Sequence, residues 1–166
     1  MAVAQPHIFS GQGFSLQGDK GRFVLPPQFR KTVKDSSGGV KTLCIARHDR
    51  WTCLTGFGLS RASDFAAQLD REEALAVQAG RDFDRDQRAS QLYGYIEIPF
   101  DDSGRFVLPP HLADLVGIGD QLYFHGGGAF FSIWNPGNLA AMGEGWEGAQ
   151  AACRHLAAEA QTRGRK

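Results

Sequence analysis

Apolar and polar residues alternate through Gly13-Phe14-Ser15-Leu16-Gln17 and again through Arg22–Leu25, the period of half-buried β-strands, with a turn at Gly18–Gly21 between them. Pro26-Pro27 stop the second strand, and proline suits a first helical position, so a short helix is expected over Gln28–Val33. After a polar loop from Lys34 to Gly39, Thr42–Ala46 and Trp51–Thr55 read as a strand pair around His48-Asp49-Arg50. The same order returns later in the chain. Gln91–Phe100 is strand-like, Asp101–Gly104 turns, Phe106–Leu108 is a strand, and His111–Val116 is a short helix ended by Gly117. Asp120–Phe124 and Ala129–Trp134 then pair around His125-Gly126-Gly127-Gly128, and Asn135-Pro136-Gly137 closes the unit. Between the two units the apolar spacing is helical, with Phe65 and Leu69 four apart, Ser60 or Ser63 as the cap, and a break near Gly80. Ala-rich helix is expected over Leu139–Met142 and Gly148–Gln161. Met1–Gln12 is expected to be loose, and the basic tail Arg163–Lys166 disordered.

The recurrence is literal as well as patterned. Gly21-Arg22-Phe23-Val24-Leu25-Pro26-Pro27 reappears as Gly104-Arg105-Phe106-Val107-Leu108-Pro109-Pro110, offset by 83 residues. An identical heptamer of mixed composition marks an internal repeat. The expected fold is mainly β with short helices (α+β): two pseudo-symmetric halves pairing their strands into one β-barrel. The divisions are residues 13–58 for the first half, 59–90 for a helical connection, 91–136 for the second half, and 137–166 for a C-terminal helix and tail.

A chain of 166 residues, 42% hydrophobic, is enough for one domain or two small halves sharing a core. Cys44, Cys53 and Cys153 show no metal-like spacing. An odd count without a signal-peptide pattern points to free thiols in a reducing, cytoplasmic setting. Cys44 and Cys53 sit in apolar strands and are expected to pack in the core. Net charge is zero but unevenly placed. Asp19 to Arg50 holds eight Lys/Arg against three Asp, a net of +5, whereas Glu97 to Asn135 holds five acids against Arg105, a net of −4. An anionic partner is therefore expected to meet the first half.

Enzymatic readings find little support. His48 and His125 occupy matching turns without a ligand-spaced partner and are expected to be surface turn histidines. Gly126-Gly127-Gly128 lies between strands and lacks a following Lys-Ser/Thr, so it is expected to be a hairpin tip rather than a phosphate cradle. No catalytic residue, cofactor, metal, small-molecule substrate or membrane contact is expected. The two turn arginines are the candidates that remain. A planar guanidinium matches guanine O6 and N7 in the major groove, whose width accepts a two-stranded β-ribbon. The expected DNA-binding residues are Lys20, Gly21 and Arg22 with Ser103, Gly104 and Arg105. Arg22 is first for base reading and Lys20 for phosphate, with Arg105 second because Asp101 and Asp102 flank it. The alternative is a β-barrel interaction module that oligomerises or docks proteins without touching DNA.

The chain resembles the MraZ family of bacterial transcription regulators, built from two SpoVT/AbrB-like swapped-hairpin domains. The resemblance rests on Asp-x-x-x-Arg followed by an apolar strand and a proline-started helix, once per half, and on Phe131–Asn135. It covers most of Gly13 to about Met142. Asp101-Asp102-Ser103-Gly104-Arg105 fits the spacing, whereas Gly18-Asp19-Lys20-Gly21-Arg22 places glycine where the aspartate belongs and Asp19 one position later. The resemblance implies that Asp101 and Asp19 support the elbows. It also implies a nucleoid-associated repressor that binds short tandem G-rich promoter repeats upstream of its own operon, in the division and cell-wall cluster, as a ring-like homo-oligomer.

Overall fold

Each Pro-Pro pair does two jobs: it ends a three-residue strand and starts a helix that returns apolar side chains to the core. In the computed structural model, which describes residues 7–164, the first half runs β1 (Gln12–Leu16), a 3-10 turn (Asp19–Gly21), β2 (Arg22–Val24), α1 (Pro27–Ser36), β3 (Thr42–Arg47) and β4 (Leu54–Phe57). A 3-10 turn (Leu59–Asp64), α2 (Phe65–Gln78) and α3 (Arg85–Tyr93) connect it to β5 (Ile96–Pro99), β6 (Arg105–Val107), α4 (Pro110–Leu115), β7 (Gln121–Gly126) and β8 (Phe131–Trp134). The helices α5 (Pro136–Ala140) and α6 (Glu147–Gly164) follow. The class is α+β, with a larger helical share than the alternation alone suggests.

Six strands form one antiparallel sheet in the order β1-β7-β8-β4-β3-β5, and β2 pairs with β6 in a separate two-stranded ribbon. Exchanging the halves, β1 for β5, β2 for β6, β3 for β7 and β4 for β8, reverses the sheet order onto itself. The pairing register obeys the same symmetry. Phe23 faces Phe106, its own repeat copy, while Thr55 faces Ser132 at the centre of the β4–β8 pair. A pseudo-twofold axis therefore passes through the ribbon, and each half contributes one of its strands. β2 lies against β1 and β6 against β5, so the ribbon bridges the sheet's two edge strands. The core beneath holds Phe23, Leu25, Phe29, Leu43, Phe106, Leu122, Phe124 and Phe131, with Phe29 and Phe131 stacked at 4.8 Å.

Several local expectations give way to tertiary contacts. Gln91–Tyr93 belong to α3 rather than to a strand. Asp84 caps that helix through the Gln87 N–H at 3.0 Å, and Arg88 ties it to Glu72 at 2.8 Å and Asp49 at 3.0 Å. Trp51–Cys53 form a bend rather than strand, because the backbone N–H groups of Arg50 and Trp51 donate to His48 Nδ1 at 3.0 and 3.2 Å. His48 is accordingly 7% exposed and packed on Trp51, not a surface turn residue. α1 extends through Ser36, beyond the expected end at Val33. α2 starts after Asp64 with no side-chain cap; Ser60 instead bonds Ser36. Phe9 is 2% exposed and bridges to Gly128, so the loose stretch at the start does not extend to Phe9. Arg163 and Gly164 end α6 rather than beginning a disordered tail. Residues 1–6 and 165–166, which carry the remainder of those two expectations, lie outside the described residues.

Candidate nucleic-acid interface

Strand alternation decides what the ribbon shows to solvent. Phe23 and Phe106 point inward, 2% exposed each, with ring centroids 6.3 Å apart. Arg22, Val24, Arg105 and Val107 are the outward set. The register places Arg22 opposite Val107 and Val24 opposite Arg105, so two arginines and two valines form a diagonal four-residue patch. Directly opposed side chains on such a pair have Cβ atoms about 4.5–5.5 Å apart. One small face thus carries both guanidiniums.

The two elbows leading into this face are built differently. In the second, the Asp101 carboxylate does the folding. It accepts from the backbone N–H groups of Ser103 and Arg105 at 3.0 and 2.9 Å, and from Arg105 Nε at 2.7 Å. The Arg105 backbone N–H is the main reason the Asp101 carboxyl sits below the usual carboxylate range. In the first elbow Gly18 occupies the equivalent position and offers no side chain. Its backbone N–H donates to the Arg22 carbonyl at 2.7 Å, and Arg22 Nε donates to the Asp19 carbonyl at 3.2 Å. The Asp19 carboxylate makes no hydrogen bond or ion pair among the described residues. Lys20 has φ +60°, the one non-glycine residue with positive φ among the described residues. That backbone conformation costs about 1–2 kcal/mol for a side chain with a Cβ.

Both arginines anchor through Nε and leave Nη1 and Nη2 without a protein partner among the described residues. A guanidinium held in this way can donate two parallel hydrogen bonds outward. Arg22 has no carboxylate within ion-pair distance among the described residues, while Arg105 is paired with Asp101 at 2.7 Å.

Alternation and motif spacing alone miss a clamp under the second elbow. Lys41 Nζ lies 2.5 Å from Asp102 Oδ1 and is the main cause of a lowered Asp102 carboxyl. Arg30, from α1, donates to the Asp102 carbonyl at 3.4 Å and the Leu25 carbonyl at 3.2 Å. Its Nε is buried without a hydrogen-bond partner among the described residues. At Gly104, φ +84°, a Cβ would lie 2.5 Å from Arg30 Nε, so a side chain there would have to displace the Arg30 guanidinium. Among the described residues the first elbow has no such clamp. The repeat puts Ala113 at the position of Arg30, and Asp120 takes that of Lys41. The latter equivalence shows in matched bonds, Gln17 N–H to the Asp120 carbonyl and Phe100 N–H to the Lys41 carbonyl. The signal was available in the sequence as Arg30 and Lys41 against Ala113 and Asp120, but only the register reveals whose elbow they serve.

Cations of the first half therefore sit against the acidic elbow of the second. Part of the first half's positive excess is thus spent on the second half's acids. Both halves share the ribbon face, and Lys41 and Arg30 offset Asp101 and Asp102.

The other candidates lie away from the ribbon face. Cys44 and Cys53 are fully buried free thiols, pushed up to about 12 mainly by burial. His125 lies in β7 with Nδ1 2.8 Å from the Tyr123 hydroxyl. It lines a cavity with His48, Trp51, Phe130 and Trp146 beneath the start of α6. Among the described residues no three His, Cys, Asp or Glu side chains cluster as a metal site. No described helix is long and apolar enough to cross a membrane.

No family model matches the chain. Individual proteins do. A protein of Rhodospirillum rubrum named transcriptional regulator MraZ is 34% identical over 144 residues, covering 84% of this chain and 86% of its own length. The transcriptional regulator MraZ of Parvibaculum lavamentivorans is 32% identical over 135 residues, 81% of this chain and 80% of its own. That of Thermomicrobium roseum is 29% identical over 140 residues, 82% and 88%. With such identity sustained across both halves and the helices between them, the chain belongs to the MraZ family.

Proposed function

We propose that the chain is a sequence-specific DNA-binding transcriptional regulator that meets the major groove with the outward face of the β2–β6 ribbon. One observation carries this reading: the duplicated heptamer places Arg22 and Arg105 on one exposed face, each fixed at Nε and open at both Nη atoms. Donors in that arrangement match guanine O6 and N7. Lys20, exposed at the tip of the first elbow, contacts a flanking phosphate. Gly21, Ser103 and Gly104 let the two backbones approach the duplex, while Asp101 and the Asp19 carbonyl hold the arginines in place. The family of named transcriptional regulators supports regulation of transcription over catalysis.

The finer reading is a nucleoid-associated repressor of the division and cell-wall gene cluster. It binds short tandem G-rich repeats in its own promoter as a ring-shaped homo-oligomer, in the cytoplasm. The two halves (13–58 and 91–136), the helical connection (59–90) and the C-terminal segment (137–166) act as its units; the palindromic strand order supports that division. Avidity reconciles zero net charge with specific binding, because each further repeat engaged by a ring adds an intramolecular contact, together worth roughly 10²–10⁴ in affinity.

An electrophoretic shift on the chain's upstream repeat DNA against a scrambled duplex tests the reading. The expected result is preferential retention of the repeat DNA, with affinity falling steeply as salt rises. Equal binding, or none, refutes it in favour of a barrel that serves protein interaction alone.

A further inference from the structure

The fold accounts for five of the seven residues that recur identically in Gly-Arg-Phe-Val-Leu-Pro-Pro. Gly21 and Gly104 occupy positive φ. Phe23 and Phe106 meet on the pseudo-twofold axis, Leu25 and Leu108 are buried, and the prolines start α1 and α4. The arginine and the valine are left over. Val24 is 40% and Val107 52% exposed, so no core contact requires either side chain to be valine.

Elsewhere the halves have diverged even inside the core, where packing is most demanding. Phe29 corresponds to Leu112 by the repeat offset. Cys44 corresponds to Tyr123 and Ile45 to Phe124 by the sheet register. A single exposed valine needs no explanation, and Thr, Ile or Tyr would satisfy the strand equally well. The same valine at both symmetry-related positions, each opposite an outward arginine, does need one.

We propose that Val24 and Val107 are specificity-determining residues, packing on the C5-methyl groups of thymines adjacent to the guanines read by Arg105 and Arg22. This rests on the DNA-binding reading and names a second base within the same site. Valine has no hydrogen-bonding group, and the thymine methyl is the apolar feature of the major-groove edge. Cross-strand spacing of about 4.5–5.5 Å between valine and arginine Cβ atoms suits bases one step apart, about 3.4 Å along a strand.

The test uses the full chain and a duplex it selects in vitro from a random pool, resynthesised with deoxyuridine at every thymine. Affinities are read by fluorescence anisotropy for the wild type and for the double variant Val24→Ala/Val107→Ala. Thermal unfolding confirms that the exposed substitutions leave the fold intact. The selected sequences are expected to hold a thymine beside a guanine. Removing the methyls is expected to weaken wild-type binding about fourfold per contacted methyl, the factor for burying one methyl-sized group. The double variant is expected to bind both duplexes equally. Equal wild-type affinities, or full discrimination retained by the double variant, would overturn the valine assignment while leaving DNA binding standing. Failure to enrich any duplex would overturn both.

Discussion

The two elbows carry the same glycine, arginine, phenylalanine and valine and share the same pair of backbone bonds, yet their side-chain support differs. Gly18 N–H to the Arg22 carbonyl and Gly21 N–H to the Gly18 carbonyl match Asp101 N–H to the Arg105 carbonyl and Gly104 N–H to the Asp101 carbonyl. The second is held by carboxylates: Asp101 closes the turn, and Asp102 is gripped from below by Arg30 and Lys41. The first relies on those backbone bonds without a carboxylate, with Lys20 at positive φ and no clamp among the described residues. A duplicated motif has thus kept its outward chemistry while its support diverged. The second elbow spends Arg105 Nε on an ion pair with Asp101, whereas Arg22 spends its Nε on a neutral carbonyl. Arg22 is the cation without a carboxylate partner among the described residues, and Arg105 the ion-paired one.

Substitutions separate what the elbows share from what distinguishes them. Phe23→Ala removes the hub beneath both and is expected to cost about 3–5 kcal/mol in chemical denaturation, loosening the two turns together. Gly104→Ala and Gly21→Ala each incur about 1–2 kcal/mol for a side chain at positive φ. The loss should be greater at 104, where the new Cβ meets Arg30; at 21 the nearest atom is the flexible Gln17 amide, 3.4 Å away. A larger fall in melting temperature for Gly21→Ala would contradict the clamp. In DNA binding, Arg22→Ala is expected to lose about 1–3 kcal/mol per engaged site, and Arg105→Ala less, because Asp101 already offsets part of its charge.

Acid gives the gentlest separation. Asp101 and Asp102 have folded-state pKa values below the ordinary carboxylate value. Their contribution is therefore complete above that ordinary value and disappears as pH falls through the lowered ones. Amide exchange at Ser103 and Arg105 should accelerate in that acid window, while exchange at Gly18 and Gly21, bonded to carbonyls, should show no matching step.

Much of this was legible in the chain. Strict alternation and the Pro-Pro punctuation located β1, β2, β6 and both short helices, and the identical heptamer announced the symmetry. Expectations failed where tertiary bonds outweighed local pattern. Leu92 and Tyr93 read as strand, but Arg88 pins that segment as helix against Glu72 and Asp49. His48 read as a surface turn until its ring was seen to accept two backbone N–H groups. In the candidate site, Arg22 and Arg105 stand out from sequence, whereas Arg30 and Lys41 do not. Their partners are 72 and 61 residues away, and only the interleaved β2–β6 pairing brings them to the other half's elbow.

The most direct measurement is the specificity ratio, repeat DNA over scrambled duplex, for folded Arg22→Lys at physiological salt. Lysine keeps the charge but lacks the planar pair of donors. If outward guanidiniums read base edges, the ratio should fall by up to about 1–3 kcal/mol per engaged site while scrambled-duplex affinity stays near the wild-type value. A variant that retains the full ratio would show that position 22 contributes charge alone.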